Sequence, residues 1–384
     1  MRKVTKPAEL DPQSFMDEFM RLKRGSVTRR HFLAVTGLGA ATALLAGAPK
    51  PLGASERVGL GRKVTIATWP NYHDPQTFED FTDLYGIEVE VSIIGSNEGT
   101  MRALELGNGW DIIVPTQYAI APYVERGMLQ KLDLSQILNF DSASHAERHL
   151  KPAMIDGACY ALPKNAGTTG MAYNTPKISA VTTWRAFFDT AMTTASGRTI
   201  AHDYQLTTIG GALVALGHSF NSCEPAELEA AEALLMQVRP HLHSIDSDYQ
   251  PAMRAGDAWL TMCWSNDAYQ MTRDNEEIGF SLGSDGGEIW TDFFAIPAKA
   301  LNSRGAHALI NHLMDPQTAA REHICNGGSI VDSRVEAFLS EEVLANTITH
   351  PDEASLTRLE FGIAKVMTDP VRAQIMNRFR SAGG

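Results

Sequence analysis

Val64-Thr65-Ile66-Ala67-Thr68-Trp69, then residues 88–94, then Asp111-Ile112-Ile113-Val114-Pro115 are three short β-type runs separated by two helical stretches. The first run reads as a strand, followed by a helix over 75–84 and a second strand over 88–94. Ser96 can cap the next helix, over 97–106, which stops at the Gly107-Asn108-Gly109 turn before the buried strand 111–115. Such alternation builds an α/β layer with parallel strands and crossover helices. A second block follows the segment 162–174, with helices over 184–195, 208–216 and 225–237 and a strand over 258–264. The third of these helices carries Glu227, Glu229 and Glu232 in its first two turns, with Glu224 just before it, where acids complement the positive end of a helix dipole. Next comes the turn Gly286-Gly287 and an aromatic strand, Glu288-Ile289-Trp290-Thr291-Asp292-Phe293-Phe294-Ala295-Ile296-Pro297. From about Ser303 the chain reads as mainly helical, broken at Gly327-Gly328 and Pro351. Two α/β lobes joined by extended segments is the economical architecture. Ligands of such sheets sit beyond the carboxyl ends of the strands, so the loops just after strands are where a site is sought.

Composition agrees with a globular chain. The 384 residues are 44% hydrophobic and 20% charged, which excludes intrinsic disorder, and 31 Gly and 18 Pro without a period exclude collagen-like and low-complexity classes. A net charge of −12 argues against a nucleic-acid partner and favours cationic or neutral small molecules. The charge is uneven: residues 1–54 hold nine Lys/Arg against four acids, so a +5 head precedes a body of −17. Within that head, Ser26-Val27-Thr28-Arg29-Arg30-His31-Phe32-Leu33 precedes an apolar run over 33–48 of mostly Ala, Leu, Gly and Val. This run is shorter than the ~20 residues of a bilayer-spanning helix. The segment resembles a twin-arginine export signal, which implies passage through the Tat translocase and a periplasmic product. Cleavage is expected at Leu52-Gly53-Ala54, before Ser55, and no later segment of ~18 apolar residues exists, so a soluble mature chain is expected. Cys159, Cys223, Cys263 and Cys325 are widely spaced without a Cys-x-x-Cys, so no zinc or redox motif is present. The compartment permits one or two disulfides, and three full pairings are open.

Four clusters at probable strand ends combine aromatic with polar or acidic residues: Trp69-Pro70-Asn71-Tyr72, Pro115-Thr116-Gln117-Tyr118, Trp264-Ser265-Asn266-Asp267 and Trp290-Thr291-Asp292. A Trp at a strand end is often core, and an Asn-Asp cluster often a cap. Together, however, the clusters supply aromatic faces and acids without a matching surplus of Arg or Lys, which suits an organic cation. Two carboxylates some distance apart would select a diamine over a monoamine.

Over essentially the whole mature chain these clusters, with Gly86-Ile87-Glu88-Val89, Ser96-Asn97-Glu98 and Gly127-Met128-Leu129-Gln130-Lys131-Leu132-Asp133, occur in an order and spacing that resembles the spermidine/putrescine-binding proteins of bacterial ABC importers. The resemblance implies a two-lobed periplasmic-binding-protein-like fold of type II with the ligand in the interlobe cleft. It implies an inner-membrane ABC permease as partner, a polyamine or other small cationic amine as ligand, no cofactor and a monomer. By match, Trp69, Tyr72, Thr116 and Tyr118 would line the site from one lobe, Trp264 and Asp267 from the other, and Asp292, with Trp290 two residues before it, would grip an ammonium. Family members often carry an acid where Asn71 stands and a Glu after the strand opening the second lobe; here that region reads His202-Asp203-Tyr204-Gln205-Leu206-Thr207, and Asp203 is the candidate substitute. The expected division is 1–54 signal, 55–166 with 290–345 one lobe, 167–289 the other, and 346–384 a C-terminal helical segment.

Other classes fit less well. A twin-arginine-exported metal or cofactor enzyme would need a site, but His145-Ala146-Glu147-Arg148-His149 misplaces the Glu of a zinc-protease helix, and no nucleophile elbow, Walker loop or Gly-x-Gly-x-x-Gly is present. A ferric-ion binder of a related two-lobed family would need adjacent tyrosines, which are absent. A binder of another amine or of a zwitterion such as 2-aminoethylphosphonate remains open.

Overall fold

The structure, a computed structural model, describes residues 59–382. The export signal and its cleavage site lie outside the described residues. The described strands are β1 (Lys63–Thr68), β2 (Glu88–Ile93), β3 (Ile112–Ile113), β4 (Met154–Ile155), β5 (Ala158–Cys159), β6 (Ala161–Asn174), β7 (Thr199–Ala201), β8 (Leu242–Ile245), β9 (Leu260–Trp264), β10 (Ile278–Ser281), β11 (Gly287–Ala295) and β12 (Leu359–Phe361). β4 and β5 form a small hairpin; the other ten make one sheet, in the order β2-β1-β3-β11-β6-β9-β7-β8, with β10 on β6 and β12 on β11. Its two ends are parallel triads: β1 pairs with β2 and β3, and β7 with β8 and β9. The antiparallel pair β6–β11 joins them.

Local chemistry sets these elements. Helix α1 (Pro75–Tyr85) starts with Asp74 accepting from the Gln76 N–H, takes Pro75 at its first position, and ends at Gly86 with φ 71°. Helix α2 (Asn97–Glu105) begins with the Ser96 side chain accepting from the Gly99 N–H, as its sequence predicts. On the far side, helix α3 (Trp184–Met192) and helix α4 (Gln205–Ala215) pack together, with Trp184, Phe187, Phe188 and Leu213 fully buried. Helix α5 (Pro225–Val238) covers them through Leu228, Leu235 and Val238, and helix α6 (Ser265–Asp274) leaves directly from the end of β9.

Three elements differ from the sequence expectation. The strand expected over 111–115 shrinks to Ile112–Ile113, because Asp111 turns its carboxylate to the Thr65 and Asn302 N–H groups at 3.0 and 2.7 Å. α4 begins at Gln205 instead of 208, which brings 204 to the helix entrance. The segment 162–174 belongs to a buried 14-residue strand, Ala161–Asn174, despite Pro163, Gly167 and Gly170. Those glycines are required by packing: a Cβ at Gly167 would stand 2.2 Å from the Trp290 ring, and one at Gly170 would stand 2.3 Å from the Ser281 carbonyl oxygen. All four cysteines are free thiols.

Candidate functional site

A cleft of about 540 Å³ opens where both parallel triads meet β6 and β11. Trp69 and Tyr72 enter it because the chain turns sharply after β1, with Asn71 at φ 53°, a conformation Asn tolerates better than most residues. The Tyr72 hydroxyl lies 2.6 Å from Asn165 Oδ1 and 2.6 Å from Asp292 Oδ2; with one proton it donates to one of them at a time. Asp292 is almost fully buried, its Oδ1 has no hydrogen-bond partner, and burial pushes its carboxyl up from 3.8 to about 6, against the opposing pull of Tyr72, Thr116 and Lys164.

Thr116 lines the cleft beside Asp292, to which it is bridged through the backbone. Its N–H donates to Asn97 Oδ1, while Asn97 Nδ2 reaches the hydroxyls of Tyr118 and Tyr204 at 3.1 and 3.2 Å. Those two hydroxyls also bond each other. Tyr118 therefore stands behind the lining and holds Tyr204, whose ring is part of it.

The far wall comes from β9 and α6. The rings of Trp69, Tyr204 and Trp264 face one another edge-on: centroids lie 6.2 Å apart for Trp69–Tyr204, 6.1 Å for Trp69–Trp264 and 6.2 Å for Tyr204–Trp264. His202 buttresses Trp264 from behind at 4.5 Å and stacks on Tyr249. Asp267 sits in the first turn of α6, buried, with Asn266 Nδ2 donating to its Oδ1 at 3.4 Å, and burial raises its carboxyl to about 6 against the opposing influence of Tyr249, Gln250 and Arg254. The floor is β11, from which Glu288, Trp290 and Asp292 all line the cleft. Glu288 accepts from the hydroxyls of Thr169 (2.7 Å) and Thr207 (3.2 Å), and burial, helped by the charge of Asp292, raises it to about 7. Trp69 and Trp290 leave their indole N–H groups buried without a partner.

The lining thus carries four carboxylates, those of Asp248, Asp267, Glu288 and Asp292, and no lysine or arginine. Lys164 approaches from behind: its Nζ stands 3.9 Å over the Tyr72 ring, and burial lowers it to about 8 against the attraction of Glu322 and Asp292. Of the nine residues expected from sequence, Trp69, Tyr72, Thr116, Trp264, Asp267, Trp290 and Asp292 line the one cleft. Tyr118 is one layer back. Asp203 lies outside the cleft, about half-exposed and paired with Arg380; the extended backbone there points alternate residues to opposite sides, so Tyr204 faces in and Asp203 out. The sequence reading does not reach Tyr204, Asp248 or Glu288, which also line the cleft. Glu288 was signalled by its spacing, two residues before Trp290 and four before Asp292 in a strand. The paired histidines serve structure: His149 Nδ1 meets Thr291 Oγ1 at 2.7 Å and His145 Nδ1 lies 2.8 Å from the Asp141 carbonyl. Among the described residues no cluster of three or more His, Cys, Asp or Glu could hold a metal ion.

Two parallel triads hinged on a crossing pair of strands, with an aromatic and acidic cleft between them, define a two-lobed periplasmic-binding-protein-like fold. The chain belongs to the bacterial extracellular solute-binding protein family, whose model matches residues 76–346. It is a binding protein and not an enzyme. It is 28% identical to the putrescine-binding periplasmic protein of Pseudomonas aeruginosa (strain UCBPP-PA14), over 76% of this chain and 88% of that one. It is 29% identical to the spermidine/putrescine-binding periplasmic protein of Escherichia coli (strain K12), over 76% and 84%. Among solved structures, a putative spermidine/putrescine ABC transporter from Listeria monocytogenes matches with a TM-score of 0.77 at 28% identity, covering 83% of this chain and 99% of that one.

Proposed function

We propose that this chain is the periplasmic receptor of an ABC importer and captures a polyamine, putrescine or spermidine, in the cleft. One observation carries the reading: four carboxylates share the cleft with a box of aromatic rings, and no basic side chain lines it. Aromatic faces attract an organic ammonium by about 0.5–2 kcal/mol per contact, and carboxylates hold its N–H groups by charge-assisted hydrogen bonds. Asp292 and Asp267 each grip an ammonium group of the ligand, while Trp69, Tyr72, Tyr204, Trp264 and Trp290 exclude water from its methylenes. Thr116 and Tyr118 keep Asp292 and Tyr204 in position.

One lobe comprises residues 55–166 and 290–345, the other 167–289, with 346–384 a C-terminal segment. A ligand touching both lobes binds the closed arrangement better and shifts the population toward it, and the closed monomer is what an inner-membrane permease reads. The chain reaches the periplasm through the Tat translocase and is cleaved before Ser55. The names of the relatives support the ligand class.

The test is calorimetric titration of the chain from Ser55 with putrescine, spermidine, choline and 2-aminoethylphosphonate. Heat from putrescine or spermidine supports the reading. Silence for both, with heat from either other amine, overturns the substrate.

A further inference from the structure

We infer that Glu288 is a ligand-facing carboxylate which, together with Asp292 on the same strand, fits the cleft to the length and charge of a linear triamine over a diamine. The inference rests on the polyamine reading above. Glu288, Trp290 and Asp292 occupy alternate positions of β11 and all line the cleft, whereas Ile289 and Thr291 do not. The pairing of 288–292 with 169–165 is unbroken, and the register shifts only after Asp292. At about 3.3 Å per residue, the Cα atoms of Glu288 and Asp292 stand about 13 Å apart with the Trp290 indole between them. Single bonds of about 1.5 Å advance an extended chain about 1.25 Å each, so a triamine with three- and four-carbon spans measures about 11 Å between end nitrogens and a four-carbon diamine about 6 Å. The longer ligand can bring one ammonium toward each acid while its methylenes cross the indole; the shorter one cannot.

Glu288 has no other charge to serve. It is 1% exposed, and its partners are two threonine hydroxyls, both on Oε2. The titratable groups around it are Asp292 on its own strand, Tyr204 at the entrance of α4, and Glu360, its register neighbour on β12. Glu360 is turned away to Ser219 and to the Phe220 N–H. Hydroxyls ease ionisation without neutralising it, so a buried carboxylate held by them alone presents a net charge to a cation.

The experiment compares the parent and Glu288→Gln by calorimetry with putrescine and with spermidine at pH 7.5. The carboxamide still accepts from both threonines, so only the charge is removed. The expected result is spermidine affinity at least about tenfold weaker in the variant, with putrescine changed less than about threefold. Equal weakening of both ligands, or of neither, overturns the role of Glu288 while leaving the polyamine reading intact. A parent that binds neither amine overturns that reading and the inference with it. A second measurement needs no variant: at pH 7 the parent should release more protons on binding spermidine than putrescine, read from binding heats in buffers of different ionisation enthalpy. Equal release overturns the inference.

Discussion

Replacing Asp292 by Asn should raise the stability of the ligand-free protein and abolish tight binding at the same time. Burial holds this carboxyl at about 6 in place of its ordinary 3.8. At about 1.4 kcal/mol per tenfold change in proton affinity, the ionised form costs the fold on the order of 3 kcal/mol above pH 6. Asn removes that cost and keeps a neutral acceptor for the Tyr72 hydroxyl; the charge-assisted part of that hydrogen bond is already counted in the value of about 6. The net expectation is up to about 3 kcal/mol of added stability at pH 7.5, or a rise of several degrees in Tm. The pH dependence fixes the sign. A carboxyl whose proton affinity is higher folded than unfolded stabilises the fold when protonated, so this contribution grows as pH falls through about 6 and is complete below 3.8. His202, which burial lowers to about 3, acts in the opposite sense below its ordinary 6.5, so the informative quantity is the parent-minus-variant difference. That difference in Tm should shrink from pH 7.5 to pH 5. Binding should move the other way: losing one partner of a desolvated ammonium costs about 2–5 kcal/mol, a Kd weaker by about 30-fold to several thousandfold. Thermal melts and calorimetry on the same two proteins read both numbers. A variant that binds as tightly as the parent, or that melts several degrees lower when ligand-free, would refute the reasoning.

Putrescine affinity should fall from pH 7.5 to pH 5 by about a hundredfold, because Asp267 and Asp292 both take up protons near 6; a flat profile of Kd against pH would contradict it. Gly167→Ala would put a Cβ 2.2 Å from the Trp290 ring and 2.8 Å from Ser265 Oγ, so the ring must swing from the cleft floor. Calorimetry should show at least about tenfold weaker binding with a stability loss of about 1–3 kcal/mol, and unchanged binding would mean that Trp290 does not touch the ligand. Lys164→Met removes the cation that sits behind Tyr72 and draws on Asp292, so dication binding should tighten several-fold at low salt; weaker binding would show that Lys164 positions Tyr72 more than it competes with ligand.

The elements legible in the sequence were those whose signals are local. Asp74-Pro75 and Ser96 announce helix starts whatever the surroundings, and both hold. β6 was not legible as a strand, because its glycines answer to rings that arrive from 110 or more residues away, Trp290 over Gly167 and Phe280 beside Gly170. The site divides along the same line. Trp69 and Trp264 follow runs with clear strand patterns and stand at strand ends as expected, whereas Trp290-Thr291-Asp292, expected to close a strand, lies in the middle of β11, because the apolar run after it continues the pairing with β6 as far as Ala295. Asp203 and Tyr204 lie between a three-residue strand and a helix of unclear start, and there a one-residue difference decides which side chain faces the cleft. Glu288 stands outside the aromatic-acid clusters, although period two along β11 puts it on the same face as Trp290 and Asp292.

A contrast between buried acids within the molecule favours a cationic ligand. Glu322 is as deeply buried as the cleft acids, and burial pushes its carboxyl up; yet the His73 ring at 2.8 Å, the charge of Lys164 and the Thr77 hydroxyl at 2.6 Å outweigh burial and hold it below its ordinary value. This chain can therefore bury an acid at little cost by giving it basic partners. At Asp267 the influence of Tyr249, Gln250 and the charge of Arg254 is too weak to offset burial, at Glu288 the partners are two threonine hydroxyls, and at Asp292 the one nearby cation stands behind a tyrosine ring. All three carboxyls rise as a result, and each ionised form destabilises the ligand-free fold. A buried charge left without a counter-ion costs several times what a neutral hydrogen-bonded group would. Three such charges in one aromatic-walled cleft make sense when the counter-ion is the ligand, and the strain of leaving them unpaired is recovered when it binds.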